Sequence, residues 1–293
     1  MNPAASAIST RPIDLDPLSP QNIDLVKTWI HECTNIHPQC PRPEPATLPR
    51  RVIDVRDLQG DESRVKLYIS NNDLGSYVAL SYCWGGPQTY SLTTKTIESF
   101  QKGIELCKLP ATIRDAIRVT KLIKQPYLWV DALCIVQDSD DDKEEDIAQM
   151  HEIYSNAIVT ISATTANNCQ GGFLAQQSSI HDSPILVPYM CPTGEYGCIQ
   201  LRHYLQVNNQ EALEQRAWAL QERCLSPRVL AFRSVLWWQC SEVHYGQAQS
   251  EEVMDADPWV SFPALFRSRL EGSATAPLSV VHESPSEDVT IMI

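Results

Sequence analysis

Apolar residues follow two rhythms along this chain, and their alternation predicts an α/β architecture. Residues 77–83 and 127–135 are almost continuously apolar, and 159–163 is a third, shorter run of strand type. Runs of that length without a polar face read as strands buried on both sides, the pattern of a parallel sheet covered by helices. Residues 51–55 and 65–69 add two further strands, the second alternating apolar and polar. Between the runs the spacing becomes helical. Ile97, Phe100 and Ile104 mark a helix over 94–105, and Ile113, Ala116, Ile117, Thr120 and Ile123 mark one over 110–124. Ile147, Met150, Ile153 and Tyr154 mark a third over 141–155, and Ile23, Val26 and Ile30 give a short one over 22–33. Two antiparallel pairs, 185–189 with 198–201 and 229–232 with 235–240, read as added β-hairpins. The expected fold is α/β, with a central, mainly parallel sheet built on 77–83, 127–135 and 158–163 and flanked by helices.

This pattern implies an organisation in three parts: a flexible arm over 1–20, a single domain over 21–250 with an N-terminal extension at 21–60, and a disordered or partly ordered tail over 251–293. A net charge of -13 argues against a general nucleic-acid binder, because phosphate contacts need a basic surface. No apolar run reaches the roughly 18 residues of a membrane span, and the first residues lack the apolar block of a signal peptide. The expected location is therefore cytoplasmic. The ten cysteines are accordingly read as reduced thiols, and no disulfide is assigned.

Three features carry candidate chemistry. Trp218 and Glu222 lie four apart on an expected helix, so they share a face one turn apart. A carboxylate held against an aromatic wall has a raised pKa, useful for acid–base work or for steadying a cation, although the same residues also fit a packed core with ion pairs. Asp131 interrupts an otherwise apolar run, which is costly unless the carboxylate is hydrogen-bonded; it is either a structural anchor or a site residue. Ser81 ends a buried strand and is followed by Tyr82, Trp84 and Gly85, at the position where α/β sheets present binding groups.

The sequence also offers Cys33, His37 and Cys40 in a Cys-x3-His-x2-Cys spacing. Such residues hold zinc, but a structural site wants four ligands and only three are visible, so a loop fixed by small buried side chains is the preferred reading. The acidic run at 138–142 fails as a calcium loop, lacking glycine at its sixth position and glutamate at its twelfth, and is read as complementing a helix dipole. There is no nucleophile elbow, phosphate loop, dinucleotide fingerprint or H-E-x-x-H motif. Carboxylates are what remain for catalysis.

Three blocks together resemble the fungal heterokaryon-incompatibility (HET) domain. They are ALSYCWG at 79–85, LWVDALCIVQD at 128–138 with Met150 and IYSNA at 153–157 downstream, and RAWALQE at 216–222. The resemblance spans roughly 25–245 and departs from the family at two points. Ala217 and Ala219 replace the glycine and threonine of the usual Arg-Gly-Trp-Thr block, and Val136 replaces the asparagine of Ile-Asn-Gln. It implies a fungal protein of non-self recognition that triggers regulated cell death. HET domains are similar in turn to TIR domains, flavodoxin-like signalling modules of which some hydrolyse NAD+ with a glutamate near an aromatic side chain. On that resemblance Glu222 is the catalytic residue, and Ser81, Tyr82, Trp84, Gly85, Asp131 and Trp218 line the substrate site. NAD+ would be the substrate and no cofactor is required. The alternative is a non-catalytic adaptor acting by self-association or partner binding. Long HET proteins continue past this domain and this chain stops soon after it, so either the domain works alone or a separate partner controls it; the expected partners are a second copy or a separate recognition protein.

Overall fold

The computed structural model describes residues 2–7, 13–56, 61–88, 90–175, 185–201, 213 and 216–247. The expected tail at 251–293 lies outside the described residues, as does part of the arm. The chain divides into two compact units, a smaller one from 1–13, 177–208 and 248–293 and a larger one from 14–176 and 209–247.

In chain order the larger unit begins with α1 (Pro20–Asn35), β1 (Ala46–Thr47), β2 (Arg51–Asp54), β3 (Arg64–Ile69), β4 (Leu74–Gly75) and β5 (Tyr77–Ser81). Next come α2 (Ile97–Lys102), β6 (Ile104–Glu105), α3 (Ala111–Leu122), β7 (Tyr127–Trp129), α4 (Asp131–Cys134), α5 (Asp140–Ala148), α6 (Met150–Asn156) and β8 (Val159–Ser162). The smaller unit supplies β9 (Ile185–Met190) and β10 (Tyr196–Leu201), and the larger one closes with α7 (Ala217–Leu225), β11 (Arg228–Phe232), β12 (Leu236–Cys240) and β13 (His244–Gly246).

Nine of these strands form one sheet in the order β13-β12-β11-β8-β5-β7-β2-β3-β6. Its centre follows the sequence reading. Val78 of β5 pairs with Leu128 of β7 on one side and Val159 of β8 on the other, both parallel, and β8 runs parallel to β11. Every residue of β5 and of β11 is buried, which is why these runs carry no polar face. The outer strands pair antiparallel: β2 with β7 and β3, β3 with β6, and β12 with β11 and β13. The sheet is therefore mixed rather than mainly parallel. Short connections such as those from β11 to β12 to β13 permit only antiparallel neighbours, since parallel pairing needs a long crossover. Both expected hairpins form, β9 with β10 in the smaller unit and β11 with β12 in the larger.

Two further expectations are corrected. The run 127–135 is not one strand, because the chain turns at Val130 into α4, where the N–H of Cys134 bonds the Val130 carbonyl at 2.8 Å. A fully buried apolar run has no period by which strand and helix can be told apart. The helix expected over 141–155 is broken at Gln149 into α5 and α6. In α5 the acidic run does more than meet the dipole. Asp142 and Asp146 both bind Arg51, which is only 9% exposed, and Asp142 also accepts the Val136 N–H at 2.9 Å. These carboxylates are thus committed to fastening α5 against β2 and the loop after α4.

In the smaller unit, Asn2 caps a short turn at Pro3–Ser6 and its side-chain oxygen accepts the Cys198 N–H of β10 at 3.0 Å.

Candidate functional site

Ser81 closes β5 and Asp131 follows β7 after a single residue, so both stand at the C-terminal ends of adjacent parallel strands. Open α/β sheets bind ligands in the crevice beyond those ends. The third member arrives on α7. Its C-terminal end is fixed to the sheet by Ser226, whose hydroxyl meets Thr160 of β8 at 2.6 Å and the Glu222 carbonyl at 2.7 Å. So held, Glu222 extends its carboxylate to the Ser81 hydroxyl, which donates a hydrogen bond to Oε2. Tyr154 of α6, whose hydroxyl donates to the Leu80 carbonyl at 3.2 Å, lies beside the Glu222 carboxylate and favours its charged form.

Asp131 sits beside this pair. Its Oδ2 accepts the indole N–H of Trp84 at 2.7 Å and its Oδ1 the backbone N–H of Ala132 at 2.6 Å. The Tyr82 hydroxyl is buried next to Asp131, yet among the described residues it has no partner of sound hydrogen-bonding geometry. Arg216, at the N-cap of α7, donates to the Tyr82 carbonyl at 2.9 Å, and its charge favours the ionised form of both acids.

The electrostatics separate these acids from ordinary surface carboxylates. Burial pushes the Glu222 carboxyl up to about 7; the Ser81 hydrogen bond opposes this and the Asp131 charge reinforces it. Burial also raises Asp131, against the Trp84 and Ala132 hydrogen bonds that favour its charged form. With burial and the Asp131 charge both opposing its ionisation, Glu222 exchanges its proton near neutral pH.

Of the residues expected at a site, the fold brings Ser81, Tyr82, Trp84, Asp131 and Glu222 together. Gly85 has a different task. It adopts φ +73, and a Cβ there would lie 2.1 Å from the Asn168 side chain, so the glycine admits a neighbouring loop. Trp218 is 60% exposed, so it is not the packed aromatic wall expected over Glu222; the aromatic side chain that interacts with the Glu222 carboxyl is Tyr154. Asp131 anchors the Trp84 loop through the indole N–H, and it lies on the same side of the sheet as Glu222. Arg216 and Tyr154 were missed as site residues, although both fall inside the blocks that carry the family resemblance.

Cys33, His37 and Cys40 are also brought together, and the structure adds Cys240 from the end of β12, all four buried. Spacing could not have found a ligand so far along the chain.

Among the described residues no helix is long and apolar enough to cross a membrane. Searches of the curated proteins and of the solved structures returned no match. Residues 77–222 do match a family model, described as Heterokaryon incompatibility protein (HET). The matched segment opens on the first residue of β5 and closes on Glu222, the elements that build the carboxylate site. Through that segment the chain belongs to the heterokaryon-incompatibility (HET) family.

Proposed function

We propose that the Ser81–Glu222–Asp131 constellation is the catalytic centre of a NAD+ glycohydrolase, through which this HET domain drives cell death in heterokaryon incompatibility. The observation that carries the reading is the Glu222 carboxyl, enclosed at the C-terminal ends of parallel strands, held by Ser81 and pushed up to about 7. In the reaction the bond between nicotinamide nitrogen and ribose C1′ breaks, and its electron pair leaves with neutral nicotinamide. The ribosyl oxocarbenium cation that remains is captured by water, releasing ADP-ribose and a proton. An ionised Glu222 stabilises that cation in a site where water is largely excluded. Ser81 fixes the carboxylate in place, and burial, reinforced by the Asp131 charge, sets the pH at which it ionises. Arg216, exposed beside both acids, is the group suited to the diphosphate. The Tyr82 hydroxyl, without a partner of sound geometry among the described residues, supplies a hydrogen bond to the substrate.

The adaptor reading is favoured by one observation, the exposure of Trp218 one turn from Glu222 on α7. Paired assays separate the two. NAD+ consumption is measured on purified chain and growth arrest on expression in fungal cells, for wild type, Glu222→Gln and Trp218→Ala. The catalytic reading predicts that Glu222→Gln, at normal abundance, abolishes both signals. Full cell death from Glu222→Gln together with its loss in Trp218→Ala would establish the adaptor instead.

A further inference from the structure

The segment between α1 and β1 poses a packing problem. From Asn35 to Pro45 nearly every residue is exposed; the buried ones are His37 and Cys40. A prolyl, solvent-facing stretch held down by an imidazole and a thiol lacks the apolar contacts that fix other loops.

Those two side chains do not sit alone. Cys33, at 0% exposure, comes from the last turns of α1, and Cys240, at 6%, ends β12. The ligating atoms of Cys33, His37, Cys40 and Cys240 all lie within 4.8 Å of one another. His37 Nδ1 is 3.8 Å from the Cys40 sulfur and 3.5 Å from that of Cys240. A tetrahedral zinc ion, with bonds of about 2.3 Å to sulfur and about 2.0 Å to nitrogen, places its ligand atoms roughly 3.5–3.8 Å apart.

A second observation is independent of this geometry. N–H donors point at the sulfurs: Arg228 Nε reaches Cys33 at 3.2 Å, and the backbone N–H of Val243 reaches Cys240 at 3.4 Å. A neutral thiol is a poor acceptor, whereas a metal-bound thiolate is a good one and is tuned by such donors. Arg228 is itself 2% exposed, and among the described residues no carboxylate pairs with it. Its remaining donors meet the Ile158 carbonyl at 3.4 Å and the Pro41 carbonyl. A buried guanidinium without a counter-charge is costly. Three thiolates and a neutral imidazole around a divalent zinc leave one net negative charge, which is the missing partner.

We propose that Cys33, His37, Cys40 and Cys240 bind a structural zinc ion that fastens α1 and the following segment to the end of β12. All four positions are filled by protein, so the site is closed and holds structure rather than performing chemistry. Gln39, whose N–H bonds Glu242 at 3.1 Å, makes a second link between the same two segments. The four ligands lie outside the span 77–222 matched by the HET model, so the site is an addition to that domain and its failure would leave the carboxylate reading untouched.

The experiment is elemental analysis of the full chain, purified without added metal, followed by exchange with cobalt(II). The expected result is one zinc per chain and a cobalt form with thiolate charge-transfer and tetrahedral ligand-field absorption. Stripping the metal with a strong chelator should lower Tm by roughly 10 °C or more, and adding zinc should restore it. Cys240→Ser should lose the metal. Because that variant risks misfolding, His37→Cys provides the counterpart: it keeps four ligands and should retain zinc. Metal-free protein whose Tm is indifferent to zinc and chelator would overturn the proposal. So would a disulfide joining two of these cysteines in the native chain.

Discussion

The thiol cluster at the end of β12 and the acids beyond β5 and β7 are both buried groups of titratable side chains on one sheet, yet they are provided for in opposite ways. Around Cys33 and Cys240 the neighbours are donors, and a cation, Arg228, is enclosed with them; the cluster is built to carry negative charge and keep it. Around Glu222 and Asp131 the supply falls short. Burial outweighs the hydrogen bonds from Ser81, Trp84 and Ala132, the Asp131 charge raises Glu222 further, and the nearby cation, Arg216, is exposed to solvent. The first arrangement fixes a structure, and the second stores an electrostatic imbalance that a cationic transition state would relieve. On the two proposals above, stability and function are divided between two polar clusters.

Substitutions can break or sharpen that division. The largest loss of stability should follow Arg228→Met, which removes the enclosed donor from Cys33 and from the Pro41 and Ile158 carbonyls. A cost of about 3–5 kcal/mol in urea unfolding is expected, and a cost below about 1 kcal/mol would mean the guanidinium balances nothing.

Glu222→Gln should act in the other direction. The native carboxyl binds its proton more tightly than an ordinary glutamate, titrating at about 7 instead of 4.5. Its contribution to stability is therefore complete below pH 4.5 and is lost as pH rises through about 7. Above that window the ionised side chain burdens the fold by at most about 3 kcal/mol, a burden the amide does not carry. The variant should be the more stable protein at about pH 8, with the margin shrinking on acidification. A variant equally destabilised at every pH would show that Glu222 is structural.

Gly85→Ala should cost about 1–3 kcal/mol, because a left-handed backbone and the Asn168 side chain both oppose a Cβ. Trp218→Ala should change stability by less than about 0.5 kcal/mol, as expected of an exposed side chain. A larger loss in thermal unfolding would place that indole in a contact that matters.

How much of this was legible in the sequence follows from the range of each interaction. The parallel neighbours β5 and β7 were readable because both show as apolar runs, whereas 229–232, expected only as half of a hairpin, also lies parallel to β8. The turn at Val130 was not readable, since burial on all sides erases the difference between periods of 2 and 3.6. Glu222 and Asp131 could be named because each is a carboxylate in an apolar setting, an anomaly visible within a few residues. That the aromatic partner of Glu222 is Tyr154 rather than Trp218 depends on how α6 packs against α7, which local spacing does not encode. The fourth ligand, Cys240, was hidden for the same reason: only the sheet brings β12 back to the end of α1.

The central claim, that an enclosed Glu222 acts as a carboxylate at the strand ends, is tested most directly by the pH dependence of NAD+ consumption. If the ionised side chain stabilises the departing cation, the rate should climb through a pKa near 7 and level off above it. The Glu222→Gln protein should be slower by about 100-fold or more and should lack that limb. A rate that is flat across the same range, or a Glu222→Gln protein that keeps the wild-type profile, would contradict the account.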